Sequence, residues 1–235
     1  MTRRVAVAIP ALQAEAFVAD IVRRTLAVLP DLLVIDDGSS DHTGDVARSA
    51  GAEVITMPHN RGKGAALRAA FCEFFRRGYE AVVTLDADGQ HLPEEIPKLL
   101  RGWEEGGDLV LGTRERLYSQ MGRLRRTSNR ASSRAISIVA GIRLRDVQTG
   151  FRLYTRALIA ATGFPEPRFE AETAVVVRAV RRGFSIITVP IDLGYADGLA
   201  TSHYRPILDS LRIAVAVARA RVERISPSSE PWWLS

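Results

Sequence analysis

Short apolar, β-branched runs alternate with amphipathic helical patterns through the first half of the chain. This rhythm constrains the fold more than any other feature. Val5–Ile9, Leu32–Asp36, Glu53–Thr56, Ala81–Leu85 and Leu109–Gly112 read as strands. Between them Glu15–Leu29, Asp41–Ala50, Lys63–Arg77 and Pro93–Trp103 read as helices. In the stretch from Lys63, residues Leu67, Ala70, Phe71, Phe74 and Phe75 recur at helical spacing. Such alternation predicts an α/β domain, a mostly parallel sheet with helices on both faces. These sheets bind ligands beyond the carboxyl ends of their strands. The residues just after each strand are therefore the first candidates for function.

The second half is less regular. Residues 114–134 carry seven arginines against one acid, Glu115. Helices are expected from about Leu124 to Ala140 and over Glu170–Arg182, with a strand at Ile186–Pro190. A last helix is expected from Pro206, a residue suited to a first turn. Within it Ile207, Leu208, Leu211, Val215, Ala218 and Val222 form an apolar stripe, and Arg205, Arg212 and Arg219 recur on another face. That pattern suits an anionic lipid interface, and it equally suits packing on the core. Residues 1–225 read as a single domain and 226–235 as a frayed Ser/Pro-rich tail, in which Trp232 and Trp233 are suited to docking.

At 235 residues, 46% hydrophobic and 25% charged, the chain can bury one substantial core. The single cysteine, Cys72, falls in an apolar helical pattern and reads as a buried thiol. No Cys/His spacing suits zinc. A formal charge of +5 admits anionic partners. The basic cluster lacks interleaved aromatics and any recognisable motif, so no nucleic acid is expected. The segment before Pro10 is too short for a signal-peptide core, and no apolar run approaches the ~20 residues of a membrane span. The expected location is cytoplasmic, peripheral at a membrane surface or beside a membrane-spanning partner protein.

Three motifs follow strand ends. In Leu85-Asp86-Ala87-Asp88-Gly89-Gln90-His91, two carboxylates stand at i and i+2, on one side of an extended segment. Two hard oxygen donors suit Mg²⁺ or Mn²⁺, which can bridge a nucleoside diphosphate, and Gln90 offers a third oxygen. A polar turn after a strand is the plainer reading. In Val34-Ile35-Asp36-Asp37-Gly38-Ser39-Ser40-Asp41, an acid can bond a base or ribose, and Asp41 suits a helix N-cap. Asn60-Arg61-Gly62-Lys63-Gly64-Ala65 opens a helix, where a lysine and free N–H groups suit a phosphate or ribose.

With Ile9-Pro10-Ala11-Leu12-Gln13-Ala14-Glu15 at the first strand end, these motifs resemble the inverting glycosyltransferase family two, whose fold is of the GT-A type. Gly112-Thr113-Arg114, Arg125-Arg126-Thr127-Ser128-Asn129-Arg130, Asp146-Val147-Gln148-Thr149-Gly150-Phe151-Arg152 and Ser202-His203-Tyr204-Arg205-Pro206 narrow the resemblance. They look like the branch of dolichol-phosphate mannose synthases and related polyprenyl-phosphate glycosyltransferases. The resemblance spans roughly 3–215 and implies transfer of a hexose from a nucleotide sugar to a polyprenyl phosphate. It implies that Pro10, Ala11, Glu15, Asp37, Lys63, Ala87 and Arg205 serve the donor. It gives Asp86, Asp88 and Gln90 to the metal and diphosphate. Arg114, Arg125, Asn129 and Arg130 would receive the acceptor phosphate, and Asp146 and Arg152 would shape the sugar and acceptor side. Leu12 and Gln13 depart from the aromatic and Asn common in the family.

Rival functions fit less well. A sugar nucleotidyltransferase needs a glycine-rich, basic loop after its first strand, and Pro10–Glu15 has neither glycine nor cation. A non-catalytic module has no chemical need for Asp86, Asp88 and Gln90. A family-two enzyme with a soluble sugar or small-molecule acceptor is the alternative nearest the main reading.

Overall fold

The computed structural model describes residues 4–113, 149–194, 206–223 and 232. Alternation along β1 (Val5–Ala11) splits its side chains between two cores. Ala6 and Ala8 join the phenylalanines of α3 (Lys63–Arg76) on one face of the sheet. Val7 and Ile9 join Val18, Ile21 and Val22 of α1 (Glu15–Val28) on the other. The remaining elements follow the expected rhythm: β2 (Leu32–Asp36), α2 (Thr43–Ser49), β3 (Glu53–Thr56), β4 (Ala81–Thr84), α4 (Ile96–Glu104) and β5 (Leu109–Thr113). A 3₁₀ turn, Pro93–Glu95, precedes α4 where one continuous helix is expected.

After residue 149 come β6 (Arg152–Thr155), α5 (Arg156–Thr162), α6 (Glu170–Arg181), β7 (Ile186–Pro190) and α7 (Pro206–Val222). The sheet order is β3-β2-β1-β4-β6-β5-β7. Every neighbouring pair is parallel except those of β6, which runs antiparallel to both β4 and β5. Its register sets Arg152 opposite Thr84 on one side and Leu111 on the other. An arginine in mid-sheet is not an apolar signal, so β6 is not legible as a strand from hydrophobic pattern.

The C-terminal helix carries two apolar faces. Ala216, Val217 and Ala220 pack on Ala174 and Val177 of α6. Val215, Ala218 and Val222, part of the stripe singled out in the sequence, are exposed instead. Arg181 donates to the carbonyls of Ala220 and Glu223 at 2.6 and 3.0 Å, satisfying groups a helix end leaves unpaired. Trp232 donates its indole N–H to the Ile159 carbonyl at 3.2 Å, so the tail docks on α5 there.

One core centres on Phe71, fully buried, stacked on Phe75 and edge-on to Tyr154 and Phe164 with centroids 5.2 Å away. It joins α3 to β6 and to the loop before α6. Phe71→Ala should cost about 3–5 kcal/mol, the usual result of a large cavity. Urea unfolding checks this; a loss below about 1 kcal/mol would show that the cluster does not hold these elements together.

Candidate functional site

The carboxyl ends of β1, β2 and β4 open onto one cleft of about 210 Å³. Pro10, Ala11 and Leu12 line it from β1, Asp37 from β2, and Asp86, Ala87 and Asp88 from β4. Asn60, Gly62 and Lys63 come from the start of α3, and Arg168 and Phe169 from the loop before α6. A larger hollow, about 570 Å³, lies at the other end of β4 and β5 beside Trp103 and Asp108. None of the motif residues line it, so the smaller cleft is the candidate site.

Two of its walls are tied together by backbone-directed bonds. Gln13 has a positive φ of 52°. Its side-chain oxygen accepts from the N–H groups of Ser40 and Asp41, and its amide donates to the Ser40 hydroxyl at 2.7 Å. Thr43 Oγ1 accepts the Ala14 N–H at 2.8 Å. Asp41 accepts from the N–H groups of Thr43 and Glu15, one residue ahead of the position expected for a cap. Glu15, expected at the nucleoside, instead accepts the His42 N–H at 3.2 Å and is not among the cleft-lining residues.

Asp37 is 3% exposed, and each of its oxygens accepts one N–H, from Arg61 and from Gly62, both at 2.7 Å. Gly62 makes this turn at φ +96°, with the Pro167 carbonyl and the Arg168 stem where a side chain would sit. Burial raises the Asp37 carboxyl above its ordinary value, against the pull of the two donors. The sequence suggests that the start of this helix suits a phosphate or ribose. The structure commits the N–H groups of Arg61 and Gly62 to Asp37 and that of Ala65 to the Gly62 and Pro167 carbonyls.

Lys63 occupies the centre of the site. Its ammonium lies 2.6 Å from Asp86 Oδ1 and 2.9 Å from Glu172 Oε2. The side chains of Lys63 and Glu172 are 12% and 7% exposed. Burial works against the lysine charge, yet the two carboxylates outweigh it and hold the ammonium above its ordinary value. Arg152, expected on the acceptor side, has no exposed surface. Its Nε donates to the Thr149 carbonyl at 2.7 Å, its Nη1 donates to the Glu172 carbonyl, and its Nε lies 3.8 Å from Glu172 Oε1. The guanidinium is thus closed off from solvent and meets Thr149 and Glu172. Gly150 makes room for the arrangement, since a Cβ there would lie 2.2 Å from Asp86 Oδ2.

Asp86 is steadied from a third side. Its N–H donates to His91 Nδ1 at 3.3 Å, which puts the ring proton of a neutral His91 on Nε2. The imidazole is 4% exposed and stacks on Phe151 at 5.4 Å. Asp88 accepts the Gln90 N–H at 2.9 Å. Burial raises the Asp88 carboxyl above its ordinary value, and the charge of Asp86 adds to the rise. Among the described residues no three His, Cys, Asp or Glu side chains converge as a metal cage. The Asp86–Asp88 pair fits a hard cation that takes its other ligands from phosphate and water, the habit of Mg²⁺. Arg114, Arg125, Asn129, Arg130, Asp146 and Arg205 lie outside the described residues.

Replacing Lys63 with methionine would keep its bulk and leave two largely buried carboxylates without their cation. Lys63→Met should cost about 3 kcal/mol at neutral pH. Denaturant titration checks it, and an unchanged midpoint would mean that the bridge does not organise the site.

Residues 6–163 match the family model described as Glycosyl transferase family 2. The chain is similar to polyprenol monophosphomannose synthase of Mycolicibacterium smegmatis, 31% identical over 207 residues, which span 81% of this chain and 77% of that protein. It is also similar to undecaprenyl-phosphate mannosyltransferase of Micrococcus luteus, 34% identical over 172 residues, 68% of this chain and 70% of that one. Glucosyl-3-phosphoglycerate synthase from Mycobacterium tuberculosis, solved with Mn²⁺, UDP and phosphoglyceric acid, has a TM-score of 0.73 to it. That pair is 22% identical, with 94% of this chain and 78% of that one covered, and the likeness shows a shared GT-A fold. The chain belongs to glycosyl transferase family 2.

Proposed function

We propose that the chain transfers a hexose from a nucleotide sugar, of the GDP-mannose or UDP-glucose type, to a polyprenyl phosphate, with inversion at the anomeric carbon. The observation that carries this reading is the pair Asp86 and Asp88, with Asp86 held by Lys63, lining one cleft with Asp37. The names of the relatives, a polyprenol monophosphomannose synthase and an undecaprenyl-phosphate mannosyltransferase, support the acceptor class.

Pro10 and Ala11 form the wall against which the nucleoside lies, and Asp37 accepts from the base or ribose. Lys63 holds Asp86 in place through its bridge, so Asp86 and Asp88 need no rearrangement when the diphosphate arrives. Mg²⁺ or Mn²⁺ held by Asp88 with Asp86, and by Gln90 where its oxygen reaches, would neutralise the departing diphosphate. Arg114, Arg125, Asn129 and Arg130 are assigned to the acceptor phosphate and Arg205 to the donor, on the strength of the motifs alone. A phosphate monoester is already anionic near neutrality, with a second pKa of ~6, so its oxygen attacks without a base. It requires positioning, for which arginine forks are suited.

The outward face of α7 supports a peripheral place on a membrane, or against a membrane-spanning partner. Val215 and Val222 are 45% and 79% exposed, and Arg219 and Arg221 are exposed beside them. No described helix is long and apolar enough to cross a membrane. Apolar and cationic side chains together suit an anionic lipid surface.

A second reading, a soluble acceptor, is favoured by the fold shared with a synthase solved with phosphoglyceric acid. The deciding experiment offers nucleotide sugars with polyprenyl phosphate or with phosphoglyceric acid. The expected result is a lipid-linked product that vanishes in excess chelator and falls about 1000-fold in Asp88→Asn with the fold intact. Arg125→Ala should weaken acceptor use far more than donor binding. A product glycosylated on a soluble hydroxyl, or full activity in chelator, would contradict the proposal.

A further inference from the structure

The loop that leads into α6 reaches the donor cleft, and no strand-end motif announces it. Phe164 anchors its start in the aromatic core. Glu166 is gripped by both terminal nitrogens of Arg178, a residue 5% exposed that also bonds Glu223 through Nε at 2.8 Å. The Pro167 carbonyl accepts the Ala65 N–H at 2.9 Å. Gly64 passes so close that a Cβ there would lie 2.3 Å from the Glu166 carbonyl and 2.8 Å from that of Arg168. The loop is thus fixed at both its side chains and its backbone, and Arg168 leaves it at the rim of the cleft, exposed.

Arg168 stands at the Asp37 end. Its Cγ is 2.6 Å from the point a Gly62 Cβ would occupy, and Gly62 is the residue whose N–H meets Asp37. The guanidinium charge acts on the Asp37 carboxyl and favours its ionised form. Beside Gly62 the cleft therefore offers a carboxylate acceptor and a guanidinium donor together, and Asp86 and Asp88 line it as well. A ring N–H next to a carbonyl matches such a pair, and both uracil and guanine present that edge.

We propose that Arg168 is a donor-binding residue that bonds a carbonyl of the nucleotide base beside Asp37, held in place by the Arg178–Glu166 fork. This rests on the reading of the cleft as a nucleotide-sugar site. A neutral acceptor bonded by a charged donor contributes about tenfold or more in affinity.

The test needs no acceptor lipid. Dissociation constants are measured for UDP, GDP, UMP and GMP, with Mn²⁺ present, on the wild-type chain, Arg168→Ala and Arg168→Lys. For the nucleotide that binds best, Arg168→Ala should weaken the monophosphate and the diphosphate by the same factor, about tenfold, and Arg168→Lys should recover part of it. Unchanged affinity in Arg168→Ala overturns the proposal. So does a loss confined to the diphosphate, which would move the guanidinium from the base to the phosphates. A wild-type chain that binds none of the four overturns the nucleotide-site reading as well, whereas a tenfold loss without lipid glycosylation upholds Arg168 and removes only the acceptor assignment.

Discussion

A single ammonium holds the candidate site together. Lys63 sits between Asp86 and Glu172 at 2.6 and 2.9 Å and so joins the start of α3, the end of β4 and the first turn of α6. Neighbouring carboxylates repel one another and resist desolvation, and the ammonium between them offsets both costs. Arg152 lies in mid-sheet on β6, where it donates to the Glu172 carbonyl and its Nε lies 3.8 Å from the Glu172 carboxylate. Gly150 lacks a side chain because Asp86 occupies the space.

The same economy appears at the other end of the cleft. Asp37 takes the two N–H groups of the Arg61–Gly62 turn, and Gln13 laces the loop after β1 to the loop after β2. Polar groups in these turns are satisfied by each other, which holds the strand ends in place before any ligand binds. Rigid, desolvated charges are the condition under which a site can stabilise a charge that develops during reaction. The β2–α2 and β4–α4 loops thereby line one cleft.

Much of this was legible in the sequence, and the gaps have physical causes. The strands β1 to β5 and their helices follow from periodicity, since each buries one stripe or one face. The Asp86–Asp88 spacing points to a hard cation because extended residues two apart share a side. A lysine after glycine at a helix start suits a phosphate or ribose, and in sequence it looks the same when its partners are Asp86 and the distant Glu172. β6 was hidden by Arg152, and the role of Arg168 by its place on a proline-flanked turn without period. The stripe on α7 was visible, but a helical wheel cannot say which of two apolar faces, Val215–Val222 or Ala216–Ala220, meets α6. The arginine-rich stretch from Arg114 to Arg134 is outside the described residues, so its part in the account rests on sequence.

We propose that Lys63 positions Asp86 and does not itself bind the donor phosphates. A crystal structure of the chain with Mn²⁺ and the nucleoside diphosphate it prefers tests this most directly. The expected result is that Nζ of Lys63 stays within hydrogen-bonding distance of both Asp86 and Glu172 while the diphosphate lies beside Asp88. A Lys63 side chain swung onto the diphosphate, with Asp86 and Glu172 left to other partners, would contradict it.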